Sequence, residues 1–303
     1  MSKISQPNNT AFPKAFLDFV CQAGNGCKLR FAPTPSGFLH TGNALNFTLN
    51  WLTARLNNGS ILLRIDDLDS ARKRDEYVQD IFDSLHWLGL DWDEGPGISS
   101  KVNPTEDFET SWSQSNRLDL YFQLLQVLRS KNLLFACKKS RSELARYMDD
   151  YPKEFRGQNL SLDDEDVAWR IKSSDPEISD FIVRRRDGIP AYQVASLADD
   201  IHFGITHIIR GNDLETSTRN QQYIANCLGL NSFLQVPFLH HPLLTDGSGL
   251  KLSKSDGADS LKSIRESGKT PEQIFLTISE LLQLSPAHSA EELLSNIGRV
   301  ISN

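Results

Sequence analysis

A parallel α/β fold, interrupted by an insertion and closed by helices, is predicted from three observations. Strand, helix, strand and helix patterns follow one another between Lys28 and Leu90, the alternation that builds a parallel sheet with crossover helices. The pattern resumes near residue 180, beyond a stretch where charges and prolines accumulate. The tail from about Ser260 has helical spacing.

"AFPKAFLDFV" can form a short amphipathic helix. "KLRFAP" (Lys28–Pro33) reads as a buried strand, ended by prolines at 33 and 35. Leu45, Leu49, Leu52 and Leu56 share a helical face from about Thr41 to Asn57, where "NNG" closes the helix. "SILLRID" (Ser60–Asp66) is apolar enough for a strand buried on both faces. "EYVQDIFDSLHWLGL" is a second amphipathic helix, and 117–130 a third. "NLLFAC", "DFIVRRRDG" and "GITHIIRG" are strand-like, "ETSTRNQQYIANCLGL" is helical, and "FLQVPFLHHPLL" reads as extended.

At 303 residues, 39% hydrophobic and 23% charged, the chain has the composition of a soluble globular protein. No apolar run approaches the roughly 20 residues of a membrane helix, and no secretory signal is visible. The four cysteines, Cys21, Cys27, Cys137 and Cys227, are too scattered for a disulfide framework, so a cytoplasmic setting is expected. A net charge of −7 argues against coating nucleic acid by bulk electrostatics, yet allows a local basic groove. Arg184, Arg185 and Arg186 form the one dense basic cluster, and Lys138 and Lys139 a smaller one.

Two stretches carry chemistry. In "SGFLHTGNALNF" (Ser36–Phe47), Gly37 and Gly42 permit a tight turn. The helix that follows offers amide groups and a positive dipole end to phosphate, and His40 and Asn43 can add hydrogen bonds. In "GLKLSKSDG" (Gly249–Gly257), Lys251 and Lys254 alternate with serines in a glycine-bounded loop that could fold over a polyphosphate. Each stretch alone has an ordinary explanation, a turn or a solvated linker.

The pair, in this order, resembles the two signatures of class I aminoacyl-tRNA synthetases, with "LHTGN" in the place of HIGH and "KLSKS" in that of KMSKS. "RFAPTPSGFLHTGNA", "LLRIDDLD", "LGLDWDEGP", "QSNR", "RRRDGIPAYQVASLADD" and "ITHIIRGNDLETSTRNQQYIANCLG" extend the resemblance to the glutamyl-tRNA synthetase family, from about Leu29 to Asp256. The short stretch after KLSKS leaves little room for an anticodon-binding domain. That plan is similar to the glutamyl-Q tRNA(Asp) synthetases, which attach glutamate to queuosine in the tRNA(Asp) anticodon.

The resemblance implies a Rossmann-like catalytic domain in two halves, 28–112 and 190–256. An acceptor-type insertion at 113–189 separates them, with an extension at 1–27 and C-terminal helices at 257–303. It implies contacts to ATP from His40, Gly42, Asn43, Lys251, Ser253 and Lys254, of which His40, Asn43 and Lys254 are catalytic. It implies contacts to the amino acid from Arg30, Ala32, Ser36, Asp66, Tyr192 and Arg210. A guanidinium fork at Arg30 suits a carboxylate. Asp66 stands where the family usually has glutamate and would bind the substrate ammonium, which leaves glutamate or glutamine open as substrate. Mg²⁺ would accompany ATP, L-glutamate and tRNA, with queuosine-bearing tRNA(Asp) first, would be the partners, and a monomer is expected.

Members of the glutamyl-Q type often hold zinc with a C-x-C pair and a later Y-x-x-x-C. Cys137 and Tyr151 match, but Lys139 and Phe155 replace the two remaining cysteines. Two such ligands cannot close a tetrahedral site. No zinc is expected, Cys137 is read as a small buried hydrophobe, and packing around Phe155 would staple the insertion instead. Two other functions fit the sequence: a truncated paralogue that delivers glutamate or glutamine elsewhere, and a non-catalytic tRNA-binding relative.

Overall fold

The structure, a computed structural model, describes residues 11–98, 102–147, 150–244 and 260–302. Its strands are β1 (Lys28–Phe31), β2 (Ser60–Leu63), β3 (Leu134–Cys137), β4 (Ala168–Ile171), β5 (Ile182–Arg184), β6 (Ile208–Gly211) and β7 (Phe238–His241). The chain divides into two compact units. One comprises Met1–Asn116, Gly204–Glu215 and Val236–Asn303, the other Arg117–Phe203 and Thr216–Gln235.

In the first unit β1 pairs with β2 in parallel, from Lys28 opposite Ser60 to Phe31 opposite Leu63. β6 and β7 form a second parallel pair, Ile208 opposite Phe238 through Gly211 opposite His241. The Thr206 and His207 amides donate to the Lys28 carbonyl and bring β6 beside β1. Ile61, Leu62 and Leu63 are all buried, as expected of a parallel strand covered on both faces. The crossover helix Thr41–Leu56 buries Leu45, Leu49 and Leu52 on the face its spacing predicts. The turn into β2 needs glycine: a Cβ on Gly59 would lie 2.3 Å from the Cys27 carbonyl oxygen.

Helix Phe12–Ala23 turns Phe12, Phe16, Phe19 and Val20 inward. Helix Asp75–Leu88 ends at Gly89, whose φ of 70° stops it in the left-handed region. The C-terminal helices Leu261–Glu266, Glu272–Leu281 and Ala290–Ser302 add Phe275, Ile278, Leu293 and Ile297 to the same core. Arg265 ties the first of them to Asp80, 2.9 Å away.

The second unit is built on an antiparallel sheet ordered β3-β4-β5. Helices Leu118–Ser130 and Tyr192–His202 belong to it, as does most of Glu215–Leu228. The Asp199 carboxylate, fully buried, takes a forked pair from Arg117 at 2.9 and 3.2 Å. The Tyr121 hydroxyl donates to it at 2.8 Å. A buried charge held by a guanidinium and a phenol is stable only while all three groups remain.

Several elements differ from the sequence reading. Strand pairing in "SILLRID" stops at Leu63, although the Arg64 and Asp66 amides go on to donate to Phe31 and Pro33. The start of "FLQVPFLHHPLL" is not extended, because Asn231–Leu234 forms a helical turn. β4 lies inside the stretch read only as charges and prolines. Among the described residues no helix is long and apolar enough to cross a membrane.

Candidate functional site

The turn after β1 is shaped by its own side chains. His40 caps helix Thr41–Leu56: its Nδ1 accepts from the Gly42 amide at 3.1 Å, and its own amide donates to Asn43 Oδ1 at 3.0 Å. An imidazole nitrogen that accepts carries no proton, so the neutral ring holds its proton on Nε2. Gly42 makes this fold-back possible, since a Cβ there would meet the imidazole at 3.0 Å. His40, Gly42 and Asn43 therefore act first as a cap, and the cap sets their orientation at the positive end of the helix.

The loop carrying Ala32 and Ser36 runs beside Asp66, whose amide donates to the Pro33 carbonyl at 2.8 Å. The Asp66 carboxylate is buried and gripped by Arg64, Nε to Oδ1 at 2.7 Å and Nη2 to Oδ2 at 3.1 Å. A bidentate clamp of this kind holds the group ionised and fixes its plane. Asp67 is spent differently. It accepts from the Gln114 amide, the Ser113 hydroxyl and the Lys73 ammonium, at 2.8, 2.7 and 3.1 Å. Two adjacent carboxylates in "RIDD" thus divide: Asp67 anchors "SQS", and Asp66 pairs with Arg64 while its amide holds the loop after β1.

Arg30 and Arg210 are buried near the ends of β1 and β6, 3% and 2% exposed. The Ile209 carbonyl accepts from Arg30 Nη1 at 3.4 Å, which places the Arg30 guanidinium beside the residue preceding Arg210. The Arg210 guanidinium lies over the Phe238 ring, 5.5 Å from its centroid. Two buried guanidiniums at neighbouring strand ends make a strong field for carboxylate.

Tyr192 belongs to the second unit. It opens helix Tyr192–His202 and is 37% exposed, so it is no core tyrosine. Lys251, Ser253 and Lys254 lie outside the described residues. Arg184 to Arg186 are engaged inside the second unit: Arg184 over Trp169, Arg185 with Asp187, and Arg186 donating to the Lys138 carbonyl.

At the zinc-like stretch, Cys137 Sγ and Tyr151 Oη are 3.2 Å apart. The Lys139 amide donates to the sulfur, Tyr151 Oη donates to the Phe155 carbonyl at 3.3 Å, and Gln158 Nε2 donates to both oxygens. Burial, and then the neighbouring sulfur, push the Tyr151 phenol well above its ordinary pKa. Phe135, Cys137 and Tyr151 form one buried cluster, with Leu144 and Phe155 packed on it. The Lys139 ammonium sits 5.0 Å from the centre of the Phe155 ring. Lys139 and Phe155, which stand where two cysteines would, thus pair with each other, and Phe155 packs on the buried cluster of Phe135, Cys137 and Tyr151. Among the described residues no group of three or more His, Cys, Asp or Glu side chains could hold a metal ion.

Sequence reasoning missed Arg64, Asn46 and His241. Arg64 could have been found, because it stands two residues before a carboxylate assigned to the site. Asn46 and His241 meet only through the fold, at 3.1 Å between Nδ2 and Nε2.

A capped helix end has the chemistry to receive phosphate, and the buried guanidiniums near it the chemistry to receive a carboxylate. The family is shown by comparison: the model for tRNA synthetases class I (E and Q), catalytic domain, matches residues 27–161 and 153–302, and the chain belongs to that family. It is 36% identical to a protein of Synechococcus sp. named Glutamyl-Q tRNA(Asp) synthetase, over 91% of this chain and 90% of that one. It is 35% identical to Glutamate--tRNA ligase 2 of Gluconacetobacter diazotrophicus, over 84% of this chain but 61% of the relative. The crystal structure of a glutamate tRNA ligase from Elizabethkingia meningosepticum in complex with its amino acid shares the fold. Its TM-score is 0.66 at 22% identity, over 90% of this chain and 65% of that one.

Proposed function

We propose that this chain activates L-glutamate with ATP and transfers the glutamyl group to tRNA, with queuosine in the anticodon of tRNA(Asp) as acceptor. Relatives named Glutamyl-Q tRNA(Asp) synthetase, matched over about nine-tenths of their own length, carry this reading. The site residues support it. In the first step a carboxylate oxygen of glutamate attacks the α-phosphorus of ATP. The P–O bond to the β-phosphate breaks, glutamyl-adenylate forms and pyrophosphate leaves. His40 and Asn43, at the helix N-terminus, stabilise the charge on the phosphates. Lys254 adds its ammonium from the chain just before Ser260. Support for that role comes from Ser260, which forms a bridge with His40, and from the Leu261 amide, which donates to the Leu39 carbonyl at 2.7 Å. Arg30 and Arg210 hold carboxylate, Asp66 holds the ammonium, and Ala32 and Ser36 add further amino-acid contacts from the first unit. In the second step an acceptor hydroxyl attacks the activated carbonyl and AMP leaves.

The chain is proposed to act as a cytoplasmic monomer, with Mg²⁺ brought by ATP and no structural zinc. The domain plan proposed is a catalytic domain at 28–112 and 190–256 with an insertion at 113–189. The acceptor is tested by incubating the protein with ATP, labelled glutamate and purified tRNA(Asp), with either queuosine or guanosine at the anticodon position. Label on the queuosine form alone is the expected result. Equal labelling of both forms, or labelling of tRNA(Glu) instead, would overturn the assignment of the acceptor.

A further inference from the structure

We propose that Asn46 and His241 form a brace that positions Arg30 and the end of β6 for the amino acid. The inference rests on the reading of Arg30 and Arg210 as the carboxylate-binding residues, and adds two positioning residues behind them.

Hydrogen-bond logic orients the brace from both ends. The Pro242 carbonyl can only accept, and His241 Nδ1 lies 2.9 Å from it, so Nδ1 carries the ring proton. Nε2 of the neutral ring is then an acceptor, and it receives Asn46 Nδ2 at 3.1 Å. From the other side, Asn50 Nδ2 donates to Asn46 Oδ1 at 3.3 Å and to the Asn46 carbonyl at 2.8 Å. Both ends demand the same orientation of the Asn46 amide. Its other hydrogen goes to the Ile209 carbonyl at 3.2 Å, the acceptor that Arg30 Nη1 also uses.

One carbonyl therefore receives Asn46 from the helix that His40 caps and Arg30 from β1, and it belongs to the residue before Arg210. Asn46 lies one turn beyond Asn43 on that helix. His241 is buried at the end of β7, opposite Gly211 in register. Removal of the Asn46 donor unties the Ile209 carbonyl from the helix, so the acceptor that Arg30 Nη1 uses, and the strand end that carries Arg210, lose their fixed place. The phosphate-facing end of the helix has its own cap and keeps its geometry.

ATP–pyrophosphate exchange of the full chain separates this role from a structural one. Asn46→Ala and His241→Leu are each expected to raise the KM for glutamate about 10-fold, the scale of one buried hydrogen bond. The KM for ATP stays within about twofold. His241→Gln, whose amide oxygen can replace Nε2 as acceptor, should restore the glutamate KM. The double substitution should cost no more than either single one, because both break the same bridge. An unchanged glutamate KM in Asn46→Ala overturns the brace. So does a parallel rise in both KM values with a lowered Tm, which marks a general packing defect. If Asn46→Ala does not fold, the His241→Leu and His241→Gln pair decides, and equal KM values for the two overturn it. No exchange by the unsubstituted protein defeats the activity reading and the brace with it. Exchange by that protein with unmoved variants defeats the brace alone.

Discussion

In the second unit Tyr151, Cys137, Gln158 and the Phe155 carbonyl hydrogen-bond to one another, and aromatic rings close around them. At the turn after β1 the first unit also buries polar groups, but these are charged: Arg30, Arg64, Asp66 and Arg210. Neutral groups that satisfy each other behave as core, and their loss is felt as stability. Buried ions are costly to keep and exert a strong field on whatever enters. The same degree of burial thus fits a packed core in one place and the proposed binding site in the other.

The sharpest way to break this contrast is Arg30→Ala. Loss of a buried guanidinium from a carboxylate site should lower kcat/KM for glutamate by about 100-fold or more, read by pyrophosphate exchange. A loss below about 3-fold would place Arg30 with the packed core, as a structural group. The opposite substitution, Phe135→Ala, should cost about 3 kcal/mol of stability by leaving a cavity, measured by urea unfolding. The glutamate KM of the folded fraction should not move; a large change there would join the two regions functionally.

Smaller effects sharpen the picture. Burial lowers the His241 pKa to about 4, outweighing the bond to Pro242 and the charge of Asp213, while the nearby His240 adds to the lowering. The unfolded ring titrates near 6.5. A depressed folded-state pKa means that the unfolded chain takes up a proton first as pH falls. Stability should therefore drop between about pH 6.5 and 4, on the order of 3 kcal/mol from this group. His241→Gln should flatten that segment of the pH–stability curve, and an unaltered slope would show that another group carries it. The least effect is expected from metal. EDTA, or added Zn²⁺, should leave the Tm unchanged, because Lys139 and Phe155 have no thiolate to offer; a Tm that falls on chelation would contradict that expectation.

Much of the frame was legible because it is local. The apolar run in "SILL" and the leucine spacing of 45, 49 and 52 encode β2 and its preceding helix without reference to distant partners. β4 was not legible, since "AWRI" is four residues long and gains its structure from β3 and β5 on either side. Helix Tyr192–His202 was read only as a motif; its helical state is supported by Val194, Leu197 and Ala198, buried on one face. At the candidate site, motifs singled out Arg30, Asp66 and Arg210, which are buried in the first unit. They did not name the side chains around them: Arg64 beside Asp66, and the pair Asn46 and His241 at the Ile209 carbonyl that Arg30 also uses. Such partners are chosen by hydrogen-bond geometry between segments up to 195 residues apart, which no local pattern records.

If the buried charges of the first unit hold glutamate as proposed, activation needs no RNA. Pyrophosphate exchange, run separately with glutamate, glutamine and aspartate in the absence of tRNA, tests it most directly. Exchange with glutamate alone is the predicted result. Exchange with glutamine instead would contradict the role given to Arg30, Arg210 and Asp66 in substrate choice, and no exchange from folded protein would contradict the enzyme itself.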